Sequence, residues 1–144
     1  MRVYLDNCCY NRPFDDQNQL KVRLETIAKL EIQKQMRSGE IEYVWSDILA
    51  NEVEESSFWE RRERIEPWVK DANMYVATTP EIERQAEVFM DLGVKAADAI
   101  HLASAASAAC DWFITVDKGI LKKIRNVGRM RVANPLEYLQ ETMP

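Results

Sequence analysis

The chain has 144 residues, 47% hydrophobic and 30% charged, with 4 glycines and 5 prolines. That balance describes one ordinary globular domain, 1–144, and excludes a disordered or low-complexity chain. A net charge of −5 excludes a protein that coats nucleic acid through overall charge.

The chain opens on a short strand, 2–5, centred on Val3-Tyr4-Leu5 and closed by Asp6. A polar loop follows over 7–16. A long helix is predicted over 17–38, with Leu20, Leu24, Ile27, Ala28, Leu30 and Ile32 as its apolar stripe and Asp15 or Asp16 as its cap. Ser38-Gly39 stops it. A second strand spans 41–45, and Ser46-Asp47 supplies N-caps for the next helix. Ile48, Leu49 and Val53 define its inner face. Glu52 falls inside that arc, Glu54 points away and Glu55 lies on the margin. Phe58-Trp59 and the charged run 60–66 continue as helix until Pro67-Trp68-Val69 interrupts. A third strand, 74–77, leads to a helix with Pro80 at its first position, the stripe Ile82, Ala86, Phe89 and Met90, and a stop at Gly93.

The stretch 95–118 organises the rest. An alanine-rich helix carries Asp98 in its first turn. At about 100° per residue, Asp98 shares a small apolar face with Leu102, Ala105, Ala106 and Ala109. His101 falls about 60° away on the wheel, toward the polar side, and reads as structural. Five β-branched or aromatic residues, 112–116, then form a buried strand that ends on Asp117. A short helix over 119–124, a strand over 130–133 and a terminal helix over 135–140 complete the chain. Trp45 and Trp112 read as core, and Trp59 and Trp68 as interface.

Strands alternating with helices predict an α/β fold: a three-layer α/β/α sandwich around a mainly parallel sheet of about five strands. In such sheets ligands sit beyond the carboxyl ends of the strands, where Asp6 and Asp117 are expected. Glu52 and Asp98 are expected on inward helix faces. Carboxylates gathered in one hollow repel and raise one another's pKa unless a cation sits among them. Oxygen-only ligation suits Mg²⁺ or Mn²⁺, which can activate a phosphodiester. Repulsion also predicts that Asp117→Ala stabilises the metal-free protein or leaves it unchanged. With one histidine and no C-x-x-C, zinc has too few soft ligands. Residues 118–135 hold no acid but six cations: Lys118, Lys122, Lys123, Arg125, Arg129 and Arg131. They are either a solvated surface or a phosphate-contacting flank.

Four segments resemble the PIN-domain ribonucleases, especially the toxin-like, VapC-type prokaryotic members. They are Val3-Tyr4-Leu5-Asp6, Ser46 with Glu52 six residues on, Ala97-Asp98-Ala99-Ile100-His101-Leu102-Ala103, and Ile114-Thr115-Val116-Asp117. They cover essentially the whole chain in the family's order. The resemblance implies a metal-dependent endoribonuclease acting on single-stranded or structured RNA. Asp6, Glu52, Asp98 and Asp117 would hold Mg²⁺ or Mn²⁺ and carry the catalysis, supported by Asn7, Ser46 and, through hydrogen bonds near Asp117, Thr115. Arg12, Lys95, Lys118 and Lys122 are the candidate RNA contacts, with a salt bridge to Asp15 or Asp16 the other reading of Arg12. The resemblance further implies an antitoxin partner and a homodimer. Asn7 stands where many relatives carry Ser or Thr, and the loop after it is longer than usual.

Neither a membrane span nor a signal-peptide core is expected, since Asp6 arrives early and the run 99–110 is short and broken by His101. Cys8, Cys9 and Cys110 make an odd count without a disulfide framework, which fits a cytoplasmic protein. An aspartate-nucleophile phosphatase would need a second Asp where Cys8 stands. A receiver domain would need an acid where the third strand meets Thr78-Thr79. The alternative from another class is a PIN-fold protein-interaction module with little or no nuclease activity.

Overall fold

The computed structural model describes residues 1–143, so Pro144, the last residue of the expected domain, lies outside the described residues. Its elements are β1 (Arg2–Leu5), α1 (Asn7–Asn11), a 3-10 turn (Arg12–Phe14), α2 (Leu20–Ser38), β2 (Glu42–Ser46), α3 (Asp47–Glu54), α4 (Trp59–Ile65) and a second 3-10 segment (Glu66–Asp71). They continue with β3 (Met74–Val76), α5 (Pro80–Asp91), α6 (Ala96–Ser107), β4 (Trp112–Ile114), α7 (Lys118–Lys123), β5 (Asn126–Val127), β6 (Met130–Ala133) and α8 (Pro135–Thr142).

One sheet runs in the order β3-β2-β1-β4-β6-β5. Every pairing is parallel except β5 with β6. The sheet therefore has six strands where about five were expected; the two-residue β5 is too short to leave a periodic signal. Helix pairs α2–α8 and α5–α6 complete a three-layer α/β/α arrangement. β1 is central and fully buried at Val3, Tyr4 and Leu5, as its unbroken apolar run requires. After β1 the chain moves outward to β2 and β3, then returns to place β4 on the other flank of β1. The order reverses between β1 and β4, which makes their carboxyl ends the crevice of the fold.

Two local expectations change. The loop over 7–16 contains α1, capped by Asp6, and a 3-10 turn. α1 has only five residues, Asn-Cys-Cys-Tyr-Asn, too few for apolar periodicity to show. The long helix begins at Leu20 with Gln19 as an N-cap that makes no side-chain bond. Asp15 instead takes Arg12 and Arg61, and Asp16 takes the backbone N–H of Asn18.

The stripe of α2 is largely inverted. Leu20, Leu24, Ile27 and Leu30 are 41–65% exposed, whereas Ala28 and Ile32 are buried as expected. The inward face carries Val22, Glu25, Thr26, Lys29, Gln33 and Met36. Three of its polar members meet partners from outside the helix. Glu25 Oε1 is 3.5 Å from Arg12 Nε, the Thr26 hydroxyl donates to the Arg12 carbonyl at 3.3 Å, and the Lys29 ammonium lies 5.8 Å from the centre of the Tyr10 ring. Burial lowers the Lys29 pKa to about 8. Trp45 and Trp112 are core, and Trp59 is more than half exposed.

Candidate metal centre at the crevice

Asp6 follows β1 directly and its backbone N–H donates to the Ile114 carbonyl at 2.9 Å, which ties it to the end of β4. Its carboxylate is buried and accepts hydrogen bonds through both oxygens. Oδ1 accepts the Asn7 backbone N–H at 2.8 Å, the cap of α1, and Oδ2 accepts the Thr115 hydroxyl at 2.8 Å. Thr115 Oγ1 also accepts the Asp117 backbone N–H at 3.1 Å. It therefore joins the ends of β1 and β4 through one hydroxyl, a wider role than support beside Asp117 alone. β4 stops at Ile114, so Asp117 stands three residues past the strand. Asn7 assists through its backbone; its side-chain oxygen accepts from Asn11 at 3.1 Å.

Asp117 Oδ1 accepts the backbone N–H groups of Gly119 at 2.7 Å and Ile120 at 3.3 Å, which caps α7. That cap reverses the expectation from repulsion. Asp117→Ala should destabilise the metal-free protein by about 1 kcal/mol, whereas Asp117→Asn keeps an accepting oxygen and should be neutral or stabilising. Urea unfolding of the three proteins checks this; equal stability for Ala and wild type would count against the cap.

Glu52 sits on α3, whose N-cap is Ser46 with its hydroxyl accepting from the Leu49 N–H at 3.3 Å. Glu52 is half-buried while Glu54 and Glu55 are exposed, as the wheel of the sequence indicates. Its Oε1 is hydrogen-bonded to Nε2 of His101. That nitrogen also lies 3.7 Å from Asp6 Oδ1. His101 is fully buried, so its expected place toward the polar side is corrected. α6 contacts β2 and α3 as well as α5, and a helix covered from several directions has no single polar side for a wheel to find. The available signal was its spacing: His101 comes one turn after Asp98, and residues i and i+3 are helix neighbours.

A buried chain of polar atoms runs back from His101. Nδ1 is 2.6 Å from the Tyr4 hydroxyl, which is 2.6 Å from Ser46 Oγ. Tyr4 stacks on Phe113 and meets the imidazole edge-on. Ser46 thus reaches the site through Tyr4 and His101. No sequence pattern pointed to Tyr4, whose aromatic ring reads only as strand core.

Asp98, in the first turn of α6, has its pKa pushed up to about 6 by burial first and then by the negative charges of Asp6 and Asp117. Glu52 adds to the rise and His101 opposes it. The His101 pKa is raised as well: burial opposes its charge, but the carboxylates of Asp6 and Glu52 outweigh that cost. Both shifts act on stability in the same direction. The folded state holds each proton more tightly than the unfolded chain, so the Asp98 contribution is complete below its ordinary 3.8 and is lost as pH rises through about 6. Asp98 is partly exposed, and solvent screening reduces the effect to roughly 1 kcal/mol. Melting of the metal-free protein should therefore show Asp98→Asn above wild type at pH 7.5 by roughly 3–5 °C, with the gap closing near pH 4. A gap independent of pH would contradict this origin.

Asp6, Glu52 and His101 present ligand atoms within 4.8 Å of one another, a spacing that can hold a metal ion. Arg12 is turned toward its own loop and α2, with Nη1 3.0 Å from Asp15 Oδ2 and Nε 3.5 Å from Glu25 Oε1, which favours the salt-bridge reading of this residue. Lys95, Lys118 and Lys122 are exposed. In the basic flank, Arg125 pairs with Glu137 and Arg131 with Glu141, and Lys123 donates to the Gly93 carbonyl.

The fold has solved counterparts. It is similar to the crystal structure of VapBC2 from Rickettsia felis bound to a DNA fragment from their promoter, with a TM-score of 0.61, 10% identity, and coverage of 93% of this chain and 98% of that one. It is equally similar to the crystal structure of FitAcB from Neisseria gonorrhoeae, with a TM-score of 0.61, 13% identity and the same coverage. At such identities the likeness is one of fold. No protein-family model and no curated protein matches the sequence. Among the described residues no helix is long and apolar enough to cross a membrane.

Proposed function

We propose that this chain is a single PIN-like domain acting as a metal-dependent endoribonuclease on single-stranded or structured RNA, and that it is the toxin of a toxin–antitoxin pair. The observation that carries the reading is convergence. Asp6 and Glu52 come from separate segments, yet with His101 they bring ligand atoms within 4.8 Å of one another; Asp98 and Asp117 stand outside that group, near enough for charge to raise the Asp98 pKa. Carboxylates gathered this way are unfavourable without a cation, and Mg²⁺ or Mn²⁺ is the class of ion such oxygens take.

The donor set fits such an ion, since two carboxylates and an imidazole lie within reach of one point. When bound, the ion supplies Lewis acidity at a phosphodiester. The chain supplies the rest. Thr115 and the Asn7 N–H hold both oxygens of Asp6 in place. Tyr4 and Ser46 hold His101 beside Glu52. The α7 cap fixes Asp117. Lys95, Lys118 and Lys122, next to or near Asp98 and Asp117 in the chain, are assigned to the phosphates of the RNA backbone.

The toxin role is supported by the VapC-type sequence resemblance together with the fold shared with the VapBC2 and FitAcB structures. A protein partner, either an antitoxin or a second copy, is supported by the outward leucines of α2. The free cysteines Cys8, Cys9 and Cys110 fit a cytoplasmic site of action. The same outward leucines favour one other reading, an interaction module with little or no nuclease activity. Cleavage assays separate the two. With Mn²⁺, wild type should cut unstructured RNA, EDTA should abolish the cutting, and Asp98→Asn should lower it by about 100-fold or more, about 2.7 kcal/mol. Equal cutting by wild type and variant would remove Asp98 from the chemistry, and no cutting by either would favour the module.

A further inference from the structure

We propose that His101 Nε2 is a direct ligand of the same ion as Asp6 and Glu52, which makes the centre a mixed nitrogen–oxygen site that selects a transition metal such as Mn²⁺ over Mg²⁺. The proposal rests on the metal-dependent reading above and deepens it, since an all-carboxylate site has no reason to prefer one of these ions strongly.

Position comes first. His101 is fully buried, and its Nε2 meets two carboxylates, Glu52 Oε1 in hydrogen-bond contact and Asp6 Oδ1 at 3.7 Å. These three atoms span at most 4.8 Å, within the spread of the ligands of one ion once the Glu52–His101 contact opens to admit it.

Orientation comes second. A ligating imidazole needs its proton on the other nitrogen and a fixed partner there. Nδ1 has that partner in the Tyr4 hydroxyl at 2.6 Å, and Tyr4 in turn has Ser46 Oγ at 2.6 Å. With the proton on Nδ1, the imidazole donates to Tyr4 and Tyr4 donates to Ser46, which also accepts the Leu49 N–H. In the other tautomer the Tyr4 hydroxyl donates to Nδ1 instead. The Tyr4–Ser46 chain survives in either direction, so the ligating tautomer gives up only the Nε2–H contact with Glu52, whose place the ion takes.

Charge comes third. Asp6 and Glu52 already neutralise a divalent ion, and a neutral imidazole as third ligand adds nothing to the negative charge that Asp98 and Asp117 bring to the crevice. Nitrogen ligation then sets the preference. Mg²⁺ favours oxygen and retains its waters. Imidazole suits the later divalent metals, whose affinities climb from Mn²⁺ onward.

The test uses the single histidine of the chain. Full-length protein grown with ¹⁵N-histidine and with ordinary histidine is loaded with Mn²⁺ and examined by pulsed electron paramagnetic resonance. A nitrogen coupling that changes with the isotope names His101 without any variant. In parallel, calorimetric titrations compare Mn²⁺ and Mg²⁺. We expect the coupling, and we expect His101→Gln to weaken Mn²⁺ by about 10- to 100-fold while shifting Mg²⁺ by less than about threefold. Bound Mn²⁺ with no histidine coupling would overturn the ligand assignment and leave the metal site standing. An equal loss for both ions in a folded His101→Gln protein would also overturn it, since His101 would then only orient Glu52. Failure of wild type to bind either ion would bring down the metal-dependent reading itself.

Discussion

Replacing Arg12 with alanine should cost the fold about 3 kcal/mol. Glu25 is only 2% exposed, and Arg12 is the cation beside it, with Nε 3.5 Å from Oε1. Among the described residues Oε1 makes no hydrogen bond of its own. Removing the guanidinium strands a buried carboxylate and also releases Asp15 from its partner. The double variant Arg12→Ala/Glu25→Leu should recover much of the loss, because the cost lies in the unpaired charge and not in the missing contact. Chemical unfolding of wild type, both single variants and the double variant measures the coupling. A loss below about 0.5 kcal/mol for Arg12→Ala, the usual size of a surface substitution, would show that the pair is solvated.

Tyr4→Phe should destabilise the protein by about 2–4 kcal/mol although only one oxygen is removed. The ring, its stacking on Phe113 and its edge contact with His101 all remain. What goes is the bridge between Ser46 Oγ and His101 Nδ1. Each is left buried without a side-chain partner at that point, and each such orphan costs roughly 1–3 kcal/mol. The same substitution frees the imidazole to turn, so Glu52 loses its fixed neighbour. Unfolding midpoints that stay within error of wild type would mean that water or a shifted side chain replaces the hydroxyl.

The strands and the acids were legible for the same reason. β1 and β4 are buried on both faces, so they write themselves as unbroken apolar runs. Asp6 stands at the end of one run and Asp117 just past the other. Glu52 was legible because α3 buries a single arc containing Leu49 and Val53. His101 was not, because α6 is covered from several sides and its wheel has no dependable outside. α2 was misread for a non-local reason. Its inward Glu25 and Thr26 are matched by Arg12, outside the helix and 14 residues before Thr26 in the chain. Hydrophobicity alone then assigns the leucines inward, where they do not go. Asp117 has two roles at once: the same carboxylate that repels Asp98 also satisfies two backbone donors, as an aspartate at the start of a turn can.

β1 has neighbours on both sides and so no edge of its own. Amide groups there become accessible to solvent only when the sheet as a whole comes apart. Asp6 is one peptide bond beyond that strand, and Thr115 clamps it to the end of β4. Asp6 is therefore mounted on the innermost strand of the sheet, so on heating its place in the crevice should persist until the core itself comes apart.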